Sequence, residues 1–109
     1  DLDAAQRRLF CACDAKKLIT LDLASGAVLH EQELSGVPDV IFFNAARRHL
    51  YVAIGDPGVI DVFETDSLRR IEVVPTEQGA HTIGFDAERH KVYAFLPQTQ
   101  RAAVYVDQV

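Results

Sequence analysis

The strongest constraint on this chain is a phrase that it repeats three times. A polar turn opens each copy, at Asp3, Asn44 and Asp86, so successive copies begin 41 and 42 residues apart. An aromatic residue follows seven positions after each turn opener. These aromatic residues are Phe10, Tyr51 and Tyr93. A fixed period of about 40 residues is typical of repeat proteins, in which each copy forms one unit of several short elements.

Each copy divides into short runs that favour β-strands. In the middle copy these runs are VIFFN (40–44), HLYVAI (49–54), VIDVF (59–63) and LRRIEVV (68–74). β-Branched and aromatic residues dominate the runs, and Asn, Asp, Gly and Pro lie between them, as in strands joined by tight turns. No helical stripe runs for ten residues without a breaker. Four antiparallel strands in about 42 residues are the signature of one β-propeller blade.

The three copies span about residues 1–37, 38–79 and 80–109 of one 1–109 propeller segment. Counting the runs predicts three, four and three strands, with the innermost strand missing from the first copy and the outermost missing from the third. The predicted fold class is all-β, with consecutive four-stranded antiparallel β-propeller blades, about two and a half of them, in an incomplete propeller. Closed propellers have roughly four to eight blades. The sequence therefore predicts either the C-terminal part of a longer propeller or a partner chain that completes it.

Composition limits the classes of partner. Apolar residues make up 49% of the chain and charged residues 25%, which is typical of a globular domain. The formal net charge of −5 disfavours nucleic acid as a partner. The sequence contains no run of 18 apolar residues, so it predicts no membrane span. Cys11 and Cys13 alternate along one predicted strand. Because a disulfide at that spacing would strain an extended backbone, we interpret them as two small buried or half-buried thiols.

Three segments carry a family resemblance. They are RRLFCACDAKKLITLDLASGAVL (7–29), RRHLYVAIGDPGVIDVFETDSL (47–68) and GAHTIGFDAERHKVYAFLP (79–97). Their shared pattern resembles the YVTN β-propeller repeat, a relative of surface-layer and quinoprotein-like propellers. The chain departs from the pattern at the asparagine that usually follows Tyr-Val-Ala, where Cys13, Ile54 and Leu96 stand, and at Phe63, which replaces the aspartate kept at Asp22. The resemblance implies a propeller in the periplasm or on the cell surface, and propellers serve many functions.

The resemblance also implies where a ligand would lie. In such propellers the loops that precede the innermost strands and the loops between the second and third strands open on one face. Asp39 and His81, 42 residues apart, precede two innermost strands, and residues 55–58 form a second-to-third loop. An aspartate and a histidine from neighbouring blades could join a metal or acid–base site, given ligands from other blades. The alternative is that both residues only cap the starts of their strands.

Other motifs carry less chemistry. Arg47-Arg48-His49 and Arg89-His90-Lys91 repeat Arg7-Arg8 at the first turn of each copy. We interpret them as solvated hairpin turns, and the alternative is a basic stripe for phosphate or an acidic partner. No G-x-S-x-G, H-E-x-x-H or G-x-x-x-x-G-K motif occurs, and residues 55–58 (GDPG) form a turn with no helix pattern after it. No catalytic residue and no cofactor can be named from the sequence.

Three functional hypotheses follow. The first is a non-catalytic propeller segment that acts as a binding or scaffold platform for a protein or a small ligand. The alternative is part of a propeller enzyme or metal-binding protein whose site lies at the mouth of the central channel. The second alternative is a structural module of the cell surface. In each case the apolar strand edges near RLFCAC (8–13) and residues 103–106 are predicted to pair with the rest of the propeller or with a second copy.

The alternation also predicts the core. The residues expected to be buried between blades are Leu9, Leu18, Ile41, Phe43, Leu50, Val52, Ile60, Ile83, Phe85, Val92 and Val104. Phe43 and Phe85 should occupy equivalent places, and truncating Phe85 to alanine should cost about 3–5 kcal/mol.

Overall fold

The chain forms eleven β-strands in a computed structural model that describes residues 1–108. No helix occurs among these residues, so none could cross a membrane. The strands are β1 (Leu2–Asp3), β2 (Arg8–Cys13), β3 (Lys17–Asp22), β4 (Val28–Glu33), β5 (Pro38–Asn44), β6 (His49–Ile54), β7 (Val59–Glu64), β8 (Arg69–Pro75), β9 (Ile83–Asp86), β10 (Lys91–Leu96) and β11 (Arg101–Val106). Val109 lies outside the described residues.

The strands assemble into three antiparallel sheets in chain order. The first sheet has the order β1-β2-β3-β4, the second β5-β6-β7-β8 and the third β9-β10-β11. The registers repeat with the sequence, because Phe10 pairs with Thr20, Tyr51 with Val62, and Tyr93 with Val104. The all-β prediction and the absence of helix from residues 1–108 are confirmed. The sheets are not closed into a ring.

The predicted count of ten strands is wrong, because the first sheet contains four strands and not three. Leu2 and Asp3 form a short innermost strand that pairs with Leu9 and Arg8. Two residues are too few to show an alternating pattern, so the strand left no signal in the sequence. The predicted open edge at RLFCAC (8–13) is therefore wrong as well, since β2 is paired on both sides. At the other end β11 is an edge strand of the third sheet, as predicted.

The turn openers act alike in all three sheets. Each accepts a hydrogen bond from the backbone amide three residues later, at 3.2 Å in every copy. The acceptors are Asp3, Asn44 and Asp86. Four residues after each opener, the backbone has a positive φ of 53–58°. Short carbonyl side chains stabilise such turns by replacing a backbone acceptor, which explains the choice of aspartate and asparagine.

The sheets pack face to face through two apolar clusters. In the first, Phe10 of the first sheet lies against Phe43 of the second, with ring centroids 5.1 Å apart. In the second, Tyr51 lies against Phe85 of the third sheet at 5.5 Å. Phe43 and Phe85 therefore occupy equivalent places, as predicted. Each interface is a copy of the other, because the sheet is the unit that the sequence repeats.

Most of the predicted core is found inside. Leu18, Leu50, Val52, Ile60, Ile83 and Val92 are buried, and Leu9, Ile41, Phe43 and Phe85 are half-buried. Val104 contradicts its prediction, because it is 52% exposed. It lies on the face of the third sheet that points away from the second sheet. Its counterpart Val62 is buried by the following sheet, whereas no described residue covers Val104.

Candidate ligand-binding site

A cleft of about 500 Å³ opens where the first strands of the second and third sheets begin. Three loops meet at it: residues 35–37 before β5, residues 55–57 between β6 and β7, and the segment before β9. Both sequence-predicted site residues, Asp39 and His81, line this cleft, together with Lys16 and Asp56. The two loop classes that the sequence assigned to one face do meet there.

Asp39 and His81 contact each other directly. The Nδ1 atom of His81 lies 3.1 Å from Oδ2 of Asp39 and 3.3 Å from the hydroxyl of Thr82. If the ring proton is on Nδ1, this nitrogen donates a hydrogen bond to the carboxylate. Nε2 is then left as a hydrogen-bond acceptor or a metal ligand. The side chain of His81 is 60% exposed and that of Asp39 is 55% exposed, so neither is buried in the core. Such a pair can accept a proton, orient a polar group or supply two metal ligands.

A buried carboxylate holds one wall of the cleft. Asp61 on β7 has no exposed surface, and it accepts hydrogen bonds from both the amide (2.8 Å) and the hydroxyl (2.7 Å) of Ser35. Arg70 on β8 approaches the same carboxylate at 3.5 Å and donates to the carbonyl of Glu33 at 2.5 Å. A buried charge needs such partners. The loop before β5 is thereby fixed to the second sheet.

The opposite wall depends on a close approach between backbones. The amide of Gly79 donates to the carbonyl of Gly55 at 2.6 Å. At Gly58 the φ is +99°, and a Cβ atom there would lie 2.4 Å from the backbone of Glu77. Only glycine meets both conditions, since it has no side chain and tolerates positive φ. The GDPG segment is therefore a turn, as predicted, and it packs against the loop that carries His81.

Glu77 ties the same loop to the third sheet. Its carboxylate accepts hydrogen bonds from the amides of Gln98 (2.6 Å) and Thr99 (3.2 Å) and from the Thr99 hydroxyl (2.8 Å). Desolvation opposes ionisation, but these donors hold the pKa of Glu77 below its ordinary value of 4.5. The cleft loops are thus anchored on both sides.

Metal ligands are sparse around the cleft. Within residues 1–108, no group of three or more His, Cys, Asp or Glu side chains is arranged to hold a metal ion. The pair Asp39–His81 would need ligands from elsewhere. Cys11 and Cys13 are free, half-buried thiols, as predicted, and they lie on the first sheet.

At the opposite ends of the strands, the interpretation of the basic turns as solvated is wrong for Arg48, His49 and His90. Arg48 donates to Asp3 of the first sheet at 2.8 Å and to Asp66 at 2.9 Å. At the next interface, Nδ2 of Asn44 lies 3.1 Å from Nδ1 of His90. Asp3 and Asn44 are equivalent in the repeat, and so are Arg48 and His90. The same junction is therefore filled by an ion pair in one interface and by an amide–imidazole hydrogen bond in the other.

His49 also lies inside an interface, with its side chain only 12% exposed. Its Nδ1 is 2.7 Å from the carboxylate of Asp107, which also accepts a short hydrogen bond from the hydroxyl of Tyr51. Burial and this carboxylate raise the pKa of the Tyr51 phenol above 10.0. A smaller cavity of about 230 Å³ lies beside Tyr51 and Asp107. Sequence reasoning missed this cluster, although pairing the turn residues of neighbouring copies would have indicated the junction.

Face-to-face antiparallel sheets in chain order define a β-propeller-like, all-β fold. The chain is similar to the solved structure of Kuenenia stuttgartiensis hydrazine synthase, a β-propeller-containing protein. The two superpose with a TM-score of 0.75 over 83% of this chain, at 14% sequence identity, and this chain spans 26% of the length of that chain. No model of a known protein family matches the sequence, and no curated protein is similar to it. At such identity the likeness establishes the fold alone.

Proposed function

We propose that this chain is a run of β-propeller blades of the YVTN type that acts as a non-catalytic binding platform, with its ligand in the Asp39–His81 cleft. The ligand is a protein segment or a small polar molecule. One observation carries the proposal. Two polar residues from neighbouring sheets lie 3.1 Å apart at the mouth of a cleft, and each is more than half exposed.

The surroundings of the pair support this role. Ser35 is held by the buried Asp61, and Gly55 is held by Gly79, so the walls of the cleft are fixed before any ligand arrives. A preformed site binds with a smaller loss of conformational entropy than a mobile one. The imidazole nitrogens of the histidine and the carboxylate oxygens of the aspartate offer hydrogen-bonding groups, which suits a polar ligand.

The test is a fragment screen by nuclear magnetic resonance on the ¹⁵N-labelled protein, with a set of small polar molecules as probes. We expect fragment binding to change the backbone amide chemical shifts of the protein at Val37, Gly55 and His81. The Asp39→Ala and His81→Ala variants should lose these shifts. His30→Ala, which removes a histidine from β4 outside the cleft, should keep them. Fragments that gather instead at the turns of residues 47–49 would refute the proposed site.

The alternative is a metal-dependent site, and the Asp39–His81 contact is the observation that favours it. Zn²⁺ is the probe, because imidazole and carboxylate are both zinc ligands. One-to-one Zn²⁺ binding in titration calorimetry that is lost in His81→Ala and kept in His30→Ala would support a metal site over the binding-platform proposal. Absence of saturable binding would leave the platform as the better account.

A further inference from the structure

The third sheet has an apolar face that no described residue covers. Its members are Tyr93 and Phe95 on β10 and Val104 and Val106 on β11, and they are between 38% and 53% exposed. The pairing of Tyr93 with Val104 places both side chains on one side of the sheet. We name these four residues the β10–β11 face. Contiguous exposed apolar residues of this kind mark an interaction surface more often than a solvated one.

The equivalent face of the second sheet shows what such a surface is made to contact. Tyr51 and Val62 hold the positions of Tyr93 and Val104, and both are buried against the third sheet. Phe10, at the same position of the first sheet, is buried against the second. This chain has therefore built the same interface twice, and the β10–β11 face is a third copy of one half of it.

The other half stands at the opposite end of the molecule. Leu9, Cys11 and Cys13 occupy the positions of Leu50, Val52 and Ile54, but they are only half-buried. Leu2, at the position of Phe43 and Phe85, is 46% exposed. We name Leu2 of β1 and Leu9, Cys11 and Cys13 of β2 the β1–β2 face. It offers aliphatic and thiol groups of the kind that the aromatic side of each internal interface covers.

Charges at the two ends are also complementary. The internal interfaces contain Asp3 with Arg48 (2.8 Å) and Asn44 with His90 (3.1 Å) at equivalent positions. The next pair in this series joins Asp86, beside the β10–β11 face, to the position of Arg7, beside the β1–β2 face. Arg7 is exposed and makes no ion pair with any residue in the range 1–108. Asp86 already pairs with Arg89 of its own turn at 3.0 Å, so Arg7 is a second partner for this carboxylate, as Asp66 is a second partner for Arg48.

We propose that the β10–β11 face docks on the β1–β2 face of a second copy of this chain, with Asp86 facing Arg7 and Tyr93 facing Leu2 of that copy. The contact joins sheet faces and does not depend on ligand binding in the cleft. Two copies supply six sheets from three each, within the range of about four to eight blades in which propellers close. A head-to-tail contact of this kind closes into a ring when the rotation fits.

The first test measures association of the protein by sedimentation velocity over a range of micromolar concentrations. We expect a concentration-dependent dimer, and we expect Val104→Asp to weaken it about tenfold or more, because an unpaired carboxylate would be buried in an apolar contact. Val28→Asp is the matched control: Val28 is also an exposed valine, at 58%, but lies on the outer strand β4. This control should dimerise like the original protein.

The second test follows the reactivity of Cys11 and Cys13 toward a thiol reagent, which reports the exposure of the β1–β2 face directly. Labelling should slow as the protein concentration rises, and Val104→Asp should restore fast labelling. The charge pair is tested with Arg7→Asn and Asp86→Asn. Asparagine tolerates the positive φ at Arg7 and already opens the turn at Asn44. Each change should lower the affinity of the dimer about two- to fivefold. The double variant should dimerise with an affinity no lower than that of either single variant.

Three results would overturn the proposal. A monomer at all concentrations with rapidly labelled thiols would mean that the faces stay open. A monomer with protected thiols would mean that another part of the same polypeptide covers them. A dimer that Val104→Asp leaves unchanged would place the contact elsewhere.

Discussion

At the scale of single residues, buried polar groups fix how neighbouring sheets meet. Asp61 holds the loop before β5, and Asp107 joins the third sheet to His49 and Tyr51 of the second. Each such carboxylate has several donors around it. Removing one therefore leaves donors that have lost both water and their partner.

Asp107→Ala should lower the free energy of unfolding by about 1–3 kcal/mol, because the hydroxyl of Tyr51 and the ring of His49 would lose their shared acceptor. Urea denaturation measures the change. Asp14→Ala, at an exposed position in the turn between β2 and β3, should change stability little. Equal effects of the two substitutions would mean that the cluster adds nothing to the interface.

Acid should destabilise the protein partly through Glu77. Its folded-state pKa lies below 4.5, because desolvation is outweighed by the donors of Thr99 and Gln98. Its contribution to stability is therefore present above pH 4.5 and is lost as the pH falls through the folded pKa. Urea unfolding at about pH 6 and about pH 3 should show a smaller acid-induced loss in Glu77→Gln than in the original protein. An identical loss in both would contradict the role given to Glu77.

At the scale of elements, tight turns and short strands repeat, but the residues that pack around equivalent turns differ. Gly26 and Gly58 both have positive φ, of 73° and 99°. A Cβ atom on Gly26 would meet nothing within 4 Å, whereas one on Gly58 would meet the backbone of Glu77. Substitutions at these two glycines therefore distinguish the cost of a positive φ alone from the cost of a positive φ with a steric clash.

Gly26→Ala should cost about 1 kcal/mol, the usual penalty for an alanine in the left-handed region. Gly58→Ala should cost clearly more, because the Cβ would also push Glu77 and the loop carrying His81 away. Thermal unfolding of both variants measures the difference. Amide shifts of residues near His81 should move only in Gly58→Ala, and equal penalties would show that the loop yields without cost.

At the scale of the whole molecule, the sheets form a linear stack, and among residues 1–108 only the second sheet is packed on both faces. In stacks of this kind, stability is close to a sum of unit and neighbour contributions, so the ends open first. The third sheet has three strands, and β9 contains only four residues. It is the least supported part of the described fold.

Hydrogen exchange should therefore be faster in β10 and β11 than in β6 and β7, when measured at low micromolar concentration where a dimer would dissociate. The central amides of β6, near Val52, should exchange only by global unfolding. Uniform protection across all three sheets would contradict the linear picture and indicate one cooperative unit.

Local patterns were enough to predict most of the strands. The period of 41 and 42 residues, the alternation of apolar residues and the turn openers predict ten of the eleven strands and the equivalence of Phe43 with Phe85. They missed β1, because two residues carry no alternation. They also placed Asp39 and His81 on one face, since both precede an innermost strand of neighbouring copies. Whether a ligand binds there stays a prediction.

What the sequence by itself determined is the repeating unit, because its strands and turns depend on residues close together in the chain. The tertiary structure alone decided which side chains meet between units. Arg48 reaches Asp3 across 45 residues and His49 reaches Asp107 across 58, contacts that no short-range pattern records. It also decided that Val104 is exposed while Val62 is buried. The two valines have the same local pattern, and burial depends on whether another sheet lies against them.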